Sequence, residues 1–520
     1  MTARRPLRAV AGPGLPLLVA AFPVVHLWAS SLKNQISAAD VVLTLGVVWA
    51  VTLAAYAVAL TLLRNPPRAS LATAAVAIGV LSFGYVARQA PIHPETPGAT
   101  LLVIAYVMLV GAAIVIVRGA QVPDALPGNL AFIAAGLVIF NMARIAFSGT
   151  PVTAAGLPNA GDAVSIDASS LDASHGRDVY YLIFDRYANE ETLSKRYGFD
   201  NTPFLEDLED QGFTVVHDAV ANYPGTAHSL ASSLNTTYLD ELAAAVGPAS
   251  DDWRPVLDSL TGSVAQRVFH DLGYRTLHVG SWWGPTFADP NADASYVFRH
   301  LREFPTAFLY TTALPWVADE LGFDVIPQER RDQFDRIHFQ ADALLEVAKD
   351  PDPTFTFAHF TIPHTPYVVD ANGNFLPTEP NVPVEESYIE QLRYTNTLIG
   401  RVTHALLAGP SAADPIVVIQ SDEGPHPIEF DADPDPRFSW STMPHEDLER
   451  KMRILSAYYF PPSDGPALGL TQTPVNTFRV ILDRYFGADL PLLRDRSLIY
   501  ATFERPYRFE DVSDRLGIEP

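Results

Sequence analysis

The chain has 520 residues, enough for two domains, with 48% hydrophobic residues, no cysteine and a formal net charge of −24. That charge is divided unevenly: residues 1–150 hold nine Lys and Arg against three Asp and Glu, leaving 26 and 56 of the totals of 35 and 59 for residues 151–520. A C-terminal part this acidic would repel a polyanion and argues against a nucleic-acid partner, while the lack of cysteine excludes disulfides, zinc–thiolate sites and a thiol nucleophile.

Five predominantly apolar stretches come first, at 13–30, 41–63, 71–86, 100–117 and 130–147. Each is near the ~20 residues that cross a bilayer core. Further apolar segments follow the first one closely, so it reads as a span and not as a cleavable signal peptide. In the short loops and span ends, Arg4, Arg5, Arg8, Arg64, Arg68 and Arg118 fall on one side, against Lys33, Arg88 and Arg144 on the other. Basic residues stay preferentially in the cytoplasm, which puts the N-terminus inside and everything after Phe147 outside. The expected domains are a transmembrane part of five helices at 1–147, a linker at 148–177 rich in Ala, Gly, Ser, Asp and Pro, and an extracytoplasmic domain at 178–520.

The extracytoplasmic part opens on the continuous apolar run Val-Tyr-Tyr-Leu-Ile-Phe184, the pattern of a parallel strand covered on both faces. Helical patterns near 204–211, 263–272 and 384–407 then alternate with strand patterns at 274–279, 354–361 and 416–420. Such alternation predicts a large α/β domain with a mostly parallel central sheet.

Ligands of open α/β sheets bind beyond the carboxyl ends of the strands, so carboxylates that immediately follow a strand are candidates. Asp185 follows the first strand, and Asp422 and Glu423 follow the strand at 416–420 within Ser421-Asp-Glu-Gly-Pro-His-Pro427. Gathered in one crevice they would repel one another unless a cation lay between them, and oxygen ligands suit Mg²⁺, Mn²⁺ or Ca²⁺. Taken singly, each is more often the cap of a helix or turn. Thr226 follows the Pro224-Gly225 turn at the start of an expected helix. The helix dipole and free N–H groups there favour an alkoxide and an anionic ester, and metal coordination would lower the hydroxyl pKa further. An ordinary N-cap accounts for the same position.

Asp185 after the first strand, Thr226 at a helix start with Ser229 three residues on, Ile-Pro-His364-Thr-Pro-Tyr367 and Ser421-Asp422-Glu-Gly occur in an order that resembles the alkaline phosphatase superfamily, in its sulfatase-like branch. Over roughly 178–480, and with the preceding spans, the chain is similar to lipoteichoic acid synthases and lipid A phosphoethanolamine transferases. Those families join a membrane part to an external domain whose threonine nucleophile is a metal ligand. The resemblance implies an alkaline-phosphatase-like α/β fold and one divalent ion, Mn, Mg, Ca or Zn, held by Asp185, Thr226, Asp422 and Glu423. It further implies Thr226 as nucleophile and His364 in contact with the transferred or leaving group.

The family usually carries Asp-His where this chain has Asp422-Glu423, and His426 is a candidate for the missing imidazole. His278 with Trp282 and Trp283 resembles a pocket-lining segment, and paired tryptophans suit stacking on a glycan, a lid, or plain packing. The Cys/Ser-x-Pro-x-Arg signature that sulfatases proper mature is absent. The implied function is therefore a transferase that moves a phospho-group from a lipid-borne donor to an envelope glycan or lipid, with membrane lipid as a partner and no nucleic acid. The alternatives are a phosphodiesterase, phosphatase or atypical sulfatase at the same site, or a non-catalytic envelope scaffold or sensor, which Glu423 in place of His keeps open.

Overall fold

The computed structural model describes residues 12–31, 36–89, 97–119, 121–147, 158–321, 329–409, 414–427, 438–461 and 469–518. The chain divides into two compact units, one made of Met1–Thr153 with Leu301–Gln328, the other of Ala154–His300 with Glu329–Pro520. The division therefore crosses the chain more than once. Of the expected linker, 148–157 lies outside the described residues, and 158–177 forms two 3-10 turns that belong to the second unit.

The first unit contains the apolar helices Gly14–Ser30, Ala38–Leu63, Pro66–Gln89, Pro97–Gly119 and Leu126–Phe147. Among the described residues, Ala38–Leu63, Pro66–Ala87 and Leu126–Phe147 are long and apolar enough to cross a membrane, and Gly14–Ser30 and Ile104–Gly119 are shorter apolar helices. Leu43, Leu62, Val115, Phe132 and Ile139 are exposed, whereas Asn141 is buried with Oδ1 3.2 Å from His26 Nδ1. Apolar outside and polar inside is the arrangement that suits a lipid surround.

Two further helices, Glu303–Tyr310 and Leu314–Leu321, join this unit, with Phe304 and Phe308 packed together with Val24 and Val41. The turn between them enters the hydrogen-bond ladder of the Pro66–Gln89 helix. Ala313 N–H donates to Val80 O at 2.8 Å and Gly84 N–H donates to Thr311 O at 2.9 Å. Val80 O and Gly84 N–H are the two groups that an uninterrupted helix pairs with each other. Glycine is required at 84, because a Cβ there would lie 2.3 Å from Tyr310 O.

The second unit is built on seven strands: β1 (Val179–Phe184), β2 (Thr214–Val215), β3 (Arg275–Val279), β4 (Ala294–Tyr296), β5 (Thr354–Phe360), β6 (Ile416–Gln420) and β7 (Ser456–Tyr459). Their order is β2-β7-β6-β1-β5-β3-β4, parallel from β6 to β4, with β7 antiparallel to β6 and to β2. Every residue of β1, β5 and β6 is buried. Alternate side chains feed opposite cores: Tyr181 and Ile183 join Phe357, Val418 and Phe478, while Tyr180, Leu182 and Phe184 join Ile337, Phe360 and Leu392. Two-sided burial explains why these strands read as unbroken apolar runs. The helix expected at 384–407 is found at Val384–Leu407. A short antiparallel pair, β8 (Leu498–Tyr500) and β9 (Phe509–Asp511), completes the unit.

Candidate active site

Register brings the chemistry to one edge of the sheet. Ile183 of β1 pairs with His359 of β5 and with Gln420 of β6, so the chain leaves all three central strands at the same level. Asp185 is anchored by its own N–H, which donates to Phe360 O at 2.9 Å. Beyond β6, Ser421 Oγ accepts from Tyr187 N–H at 3.0 Å and donates to Glu423 O at 2.7 Å, which turns Asp422 and Glu423 back toward β1. Gly424 lets this turn pass another backbone, since a Cβ there would lie 2.1 Å from Arg450 O.

Asp185, His359 and Asp422 are buried, and one ligand atom from each lies within 4.8 Å of the other two. Among the described residues, Asp185 Oδ1, both carboxylate oxygens of Asp422 and His359 Nε2 have no hydrogen-bond partner. Buried polar atoms are otherwise nearly always satisfied. Two carboxylates and a neutral imidazole converging without partners fit a divalent cation, because its charge offsets a repulsion that the Arg186 and Lys451 charges only partly oppose. Burial, and then the charges of Asp422 and Glu423, push Asp185 well above the usual carboxylate range. Burial also raises Asp422, opposed first by the Thr226 hydroxyl. His359 is pushed down to about 3 by burial and then by neighbouring His278, and so stays neutral.

Thr226 is the first residue of the helix Thr226–Leu234 and is only partly buried. Its hydroxyl lies near Asp422 and lowers that group's pKa, without the geometry of a full hydrogen bond. The preceding turn is held by buried Asn222, which donates to Ser232 and Ser233 Oγ at 3.2 Å each and accepts from Val475 N–H at 3.1 Å. Gly225 lies against the Tyr500 hydroxyl, which a Cβ would approach to 2.9 Å. Ser229, one turn on, is buried and its Oγ has no hydrogen-bond partner among the described residues.

Glu423 lies outside the Asp185–His359–Asp422 group. Its Oε1 is 2.6 Å from Nζ of fully buried Lys451 and 3.7 Å from Arg186 Nε. Lys451 also donates to Gly424 O at 3.1 Å and sits 5.6 Å above the Trp440 ring. Near this pair are His364, whose Nδ1 contacts the Thr365 carbonyl, and His426, whose ring stacks on Trp440 at 5.7 Å. Burial holds both imidazoles well below the usual histidine range, helped by the Arg186 and Lys451 charges.

His278 is buried in β3 with Nε2 2.9 Å from Thr286 O and its ring against Phe357. Of the two tryptophans, Trp283 is partly buried with its ring edge-on to His359 at 6.4 Å, and Trp282 is 38% exposed. Sequence reasoning missed His359, Arg186 and Lys451. The one available signal for His359 was a lone imidazole in the otherwise apolar and hydroxylic strand Thr-Phe-Thr-Phe-Ala-His-Phe360.

The family model for sulfatases matches residues 178–477, more than half of the chain. The chain belongs to the sulfatase family. It is an enzyme of the sulfatase-like type. No curated protein matches this chain in sequence. Similar solved structures include the C-terminal periplasmic domain of EcEptC from Escherichia coli in complex with Zn, with 14% identity over 68% of this chain and 98% of that one and a TM-score of 0.43. Another is the integral membrane protein lipooligosaccharide phosphoethanolamine transferase A from Neisseria meningitidis, with 13% identity over 91% and 95% and a TM-score of 0.38. A third is a putative sulfatase from Bacteroides thetaiotaomicron, with 12% identity over 66% and 87% and a TM-score of 0.40.

Proposed function

We propose that this chain is a metal-dependent transferase that moves a phospho-group from a lipid-borne donor to an envelope glycan or lipid, with Thr226 as the nucleophile. The observation that carries the reading is a threonine hydroxyl at a helix N-terminus, beside a buried carboxylate of the unpartnered group formed by Asp185, His359 and Asp422. Those three residues with Thr226 would hold one divalent ion, which when bound supplies Lewis acidity toward the hydroxyl and the phosphoryl oxygens.

The helix N-terminus favours the Thr226 alkoxide and the incoming anion. Thr226 Oγ attacks phosphorus and the donor's alkoxide departs, leaving the group on threonine. The Nδ1–H of His364 rests on the Thr365 carbonyl, which leaves its Nε2 free to take the Thr226 hydroxyl proton as Oγ attacks and to pass that proton to the departing oxygen. The same Nε2 then takes the proton of the acceptor hydroxyl as that oxygen attacks phospho-threonine and regenerates Thr226. Burial keeps His364 neutral between these steps.

The proposed topology is five spans with a cytoplasmic N-terminus and an extracytoplasmic sulfatase domain. It is supported by three helices long and apolar enough to cross a membrane and by two shorter apolar ones. A donor that diffuses in the bilayer would reach such a tethered domain laterally. The test uses the full chain in vesicles with phospholipid labelled in its headgroup. Transfer of label to a lipid or glycan acceptor, through a phospho-adduct that Thr226→Ala abolishes, is the expected result. Release of label to water alone would replace the transferase with a hydrolase, and no adduct or turnover with metal present would favour the scaffold reading.

A further inference from the structure

We infer that His359 supplies the imidazole of the metal centre, and that Glu423 serves as the fixed counter-ion of Lys451 and not as a ligand. This deepens the metal-dependent reading above and rests on it.

The tautomer of His359 is set from outside the site. Its Nδ1 lies 2.8 Å from Thr286 Oγ1, which is itself 2.8 Å from Ser281 Oγ. With Nδ1–H donating to the Thr286 hydroxyl, and that hydroxyl donating to Ser281, the lone pair of Nε2 faces Asp185 and Asp422. The opposite tautomer would aim an N–H at Asp185 Oδ2, yet those atoms are 3.9 Å apart, beyond hydrogen-bond length. Buried Gln340 clamps the strand end by donating to His359 O at 2.6 Å and to Gly280 O at 3.0 Å. A ligand histidine ordinarily has its second nitrogen held in this way.

Glu423 stands differently: its Oε1 is given to Lys451 and, although its Oε2 has no hydrogen-bond partner among the described residues, it does not join the group of ligand atoms within 4.8 Å. Lys451 is fully buried, and Glu423 at 2.6 Å is the carboxylate that balances it, with Gly424 O and the Trp440 face completing its contacts. Shifting Glu423 onto a cation would weaken the close pairing that balances Lys451 in the interior. The pairing of Oε1 with Lys451 therefore fixes Glu423 outside the group, and the imidazole comes from β5.

The test is made on the purified full chain, stripped of metal and reloaded. Cu²⁺ serves as the spectroscopic probe and Zn²⁺ as the affinity probe. Nitrogen coupling to Cu²⁺ in the wild type should vanish in His359→Gln, and Zn²⁺ affinity should fall by roughly 10–100-fold or more. Thr286→Val, which keeps His359 but removes its orienting partner, should weaken Zn²⁺ in the same direction. The charge-balanced double variant Glu423→Gln with Lys451→Met should keep both the nitrogen coupling and the wild-type affinity. Nitrogen coupling that survives in His359→Gln, or loss of metal in the double variant while its melting remains cooperative, would overturn this assignment alone. A wild-type chain that binds neither ion would overturn the metal-dependent reading as well.

Discussion

Thr226 and Lys451 represent two kinds of residue whose replacement should fail differently. Thr226→Ala removes the proposed nucleophile from a helix start without disturbing a buried contact, so it should fold normally and lose phospho-adduct formation by on the order of 10³-fold or more. Thr226→Ser should retain part of the rate, and single-turnover labelling separates the two. Lys451→Met instead strands Glu423 in the interior and should lower stability by roughly 3–5 kcal/mol in denaturant melts. Adding Glu423→Gln should recover much of that loss, because the isolated carboxylate and not the missing ammonium is the larger cost.

His175 gives a pH dependence of definite sign. Its Nε2 lies 3.0 Å from Tyr485 O and its ring packs on Phe486, and burial holds its pKa below the ordinary value. The unfolded chain therefore takes up a proton at higher pH than the folded one. Stability should fall as pH drops from about 6.5 toward the lower folded pKa, and stop falling below it. Hydrogen exchange of 158–177 compared between wild type and His175→Gln, at pH 7.5 and pH 5.5, checks it; an equal response in both would assign the effect to another group.

At the scale of elements, the exchange of hydrogen bonds at Val80 and Gly84 ties the helix pair of 301–321 to the Pro66–Gln89 helix through backbone alone. Gly84→Ala places a methyl 2.3 Å from Tyr310 O, which backbone must move to accommodate. The expected outcome is faster proteolysis within 301–321 in detergent, with the metal affinity of the sulfatase domain unchanged. None of this was legible in sequence, because Glu303–Tyr310 and Leu314–Leu321 carry ordinary amphipathic patterns that do not reveal which unit they cover. The strands were different. β1, β5 and β6 are buried on both faces, so composition and boundaries coincided, whereas β2 and β4 are too short and too mixed to register as strands.

Over the whole molecule, the proposed orientation can be tested cleanly because the chain has no cysteine. A single cysteine at Thr2 should be shielded from an impermeant thiol reagent in intact cells, and one at exposed Glu504 should react. The reverse result would invert the topology and place the site on the cytoplasmic side.

Sequence by itself determined what depends on neighbours in the chain: the apolar helices, the buried parallel strands, the strand-end positions of Asp185 and Asp422, and the helix-start position of Thr226. These are local because periodicity and apolar runs encode them within a few residues. Tertiary structure alone decided that His359 stands beside the end of β1, since parallel register pairs it with Ile183, two residues before Asp185 and 176 residues away in the chain. It alone decided that Lys451, in the polar helix His445–Met452, is fully buried against Glu423. A charged residue in a polar helix reads as solvated, and only the packing of separate segments determines that its charge must be balanced inside.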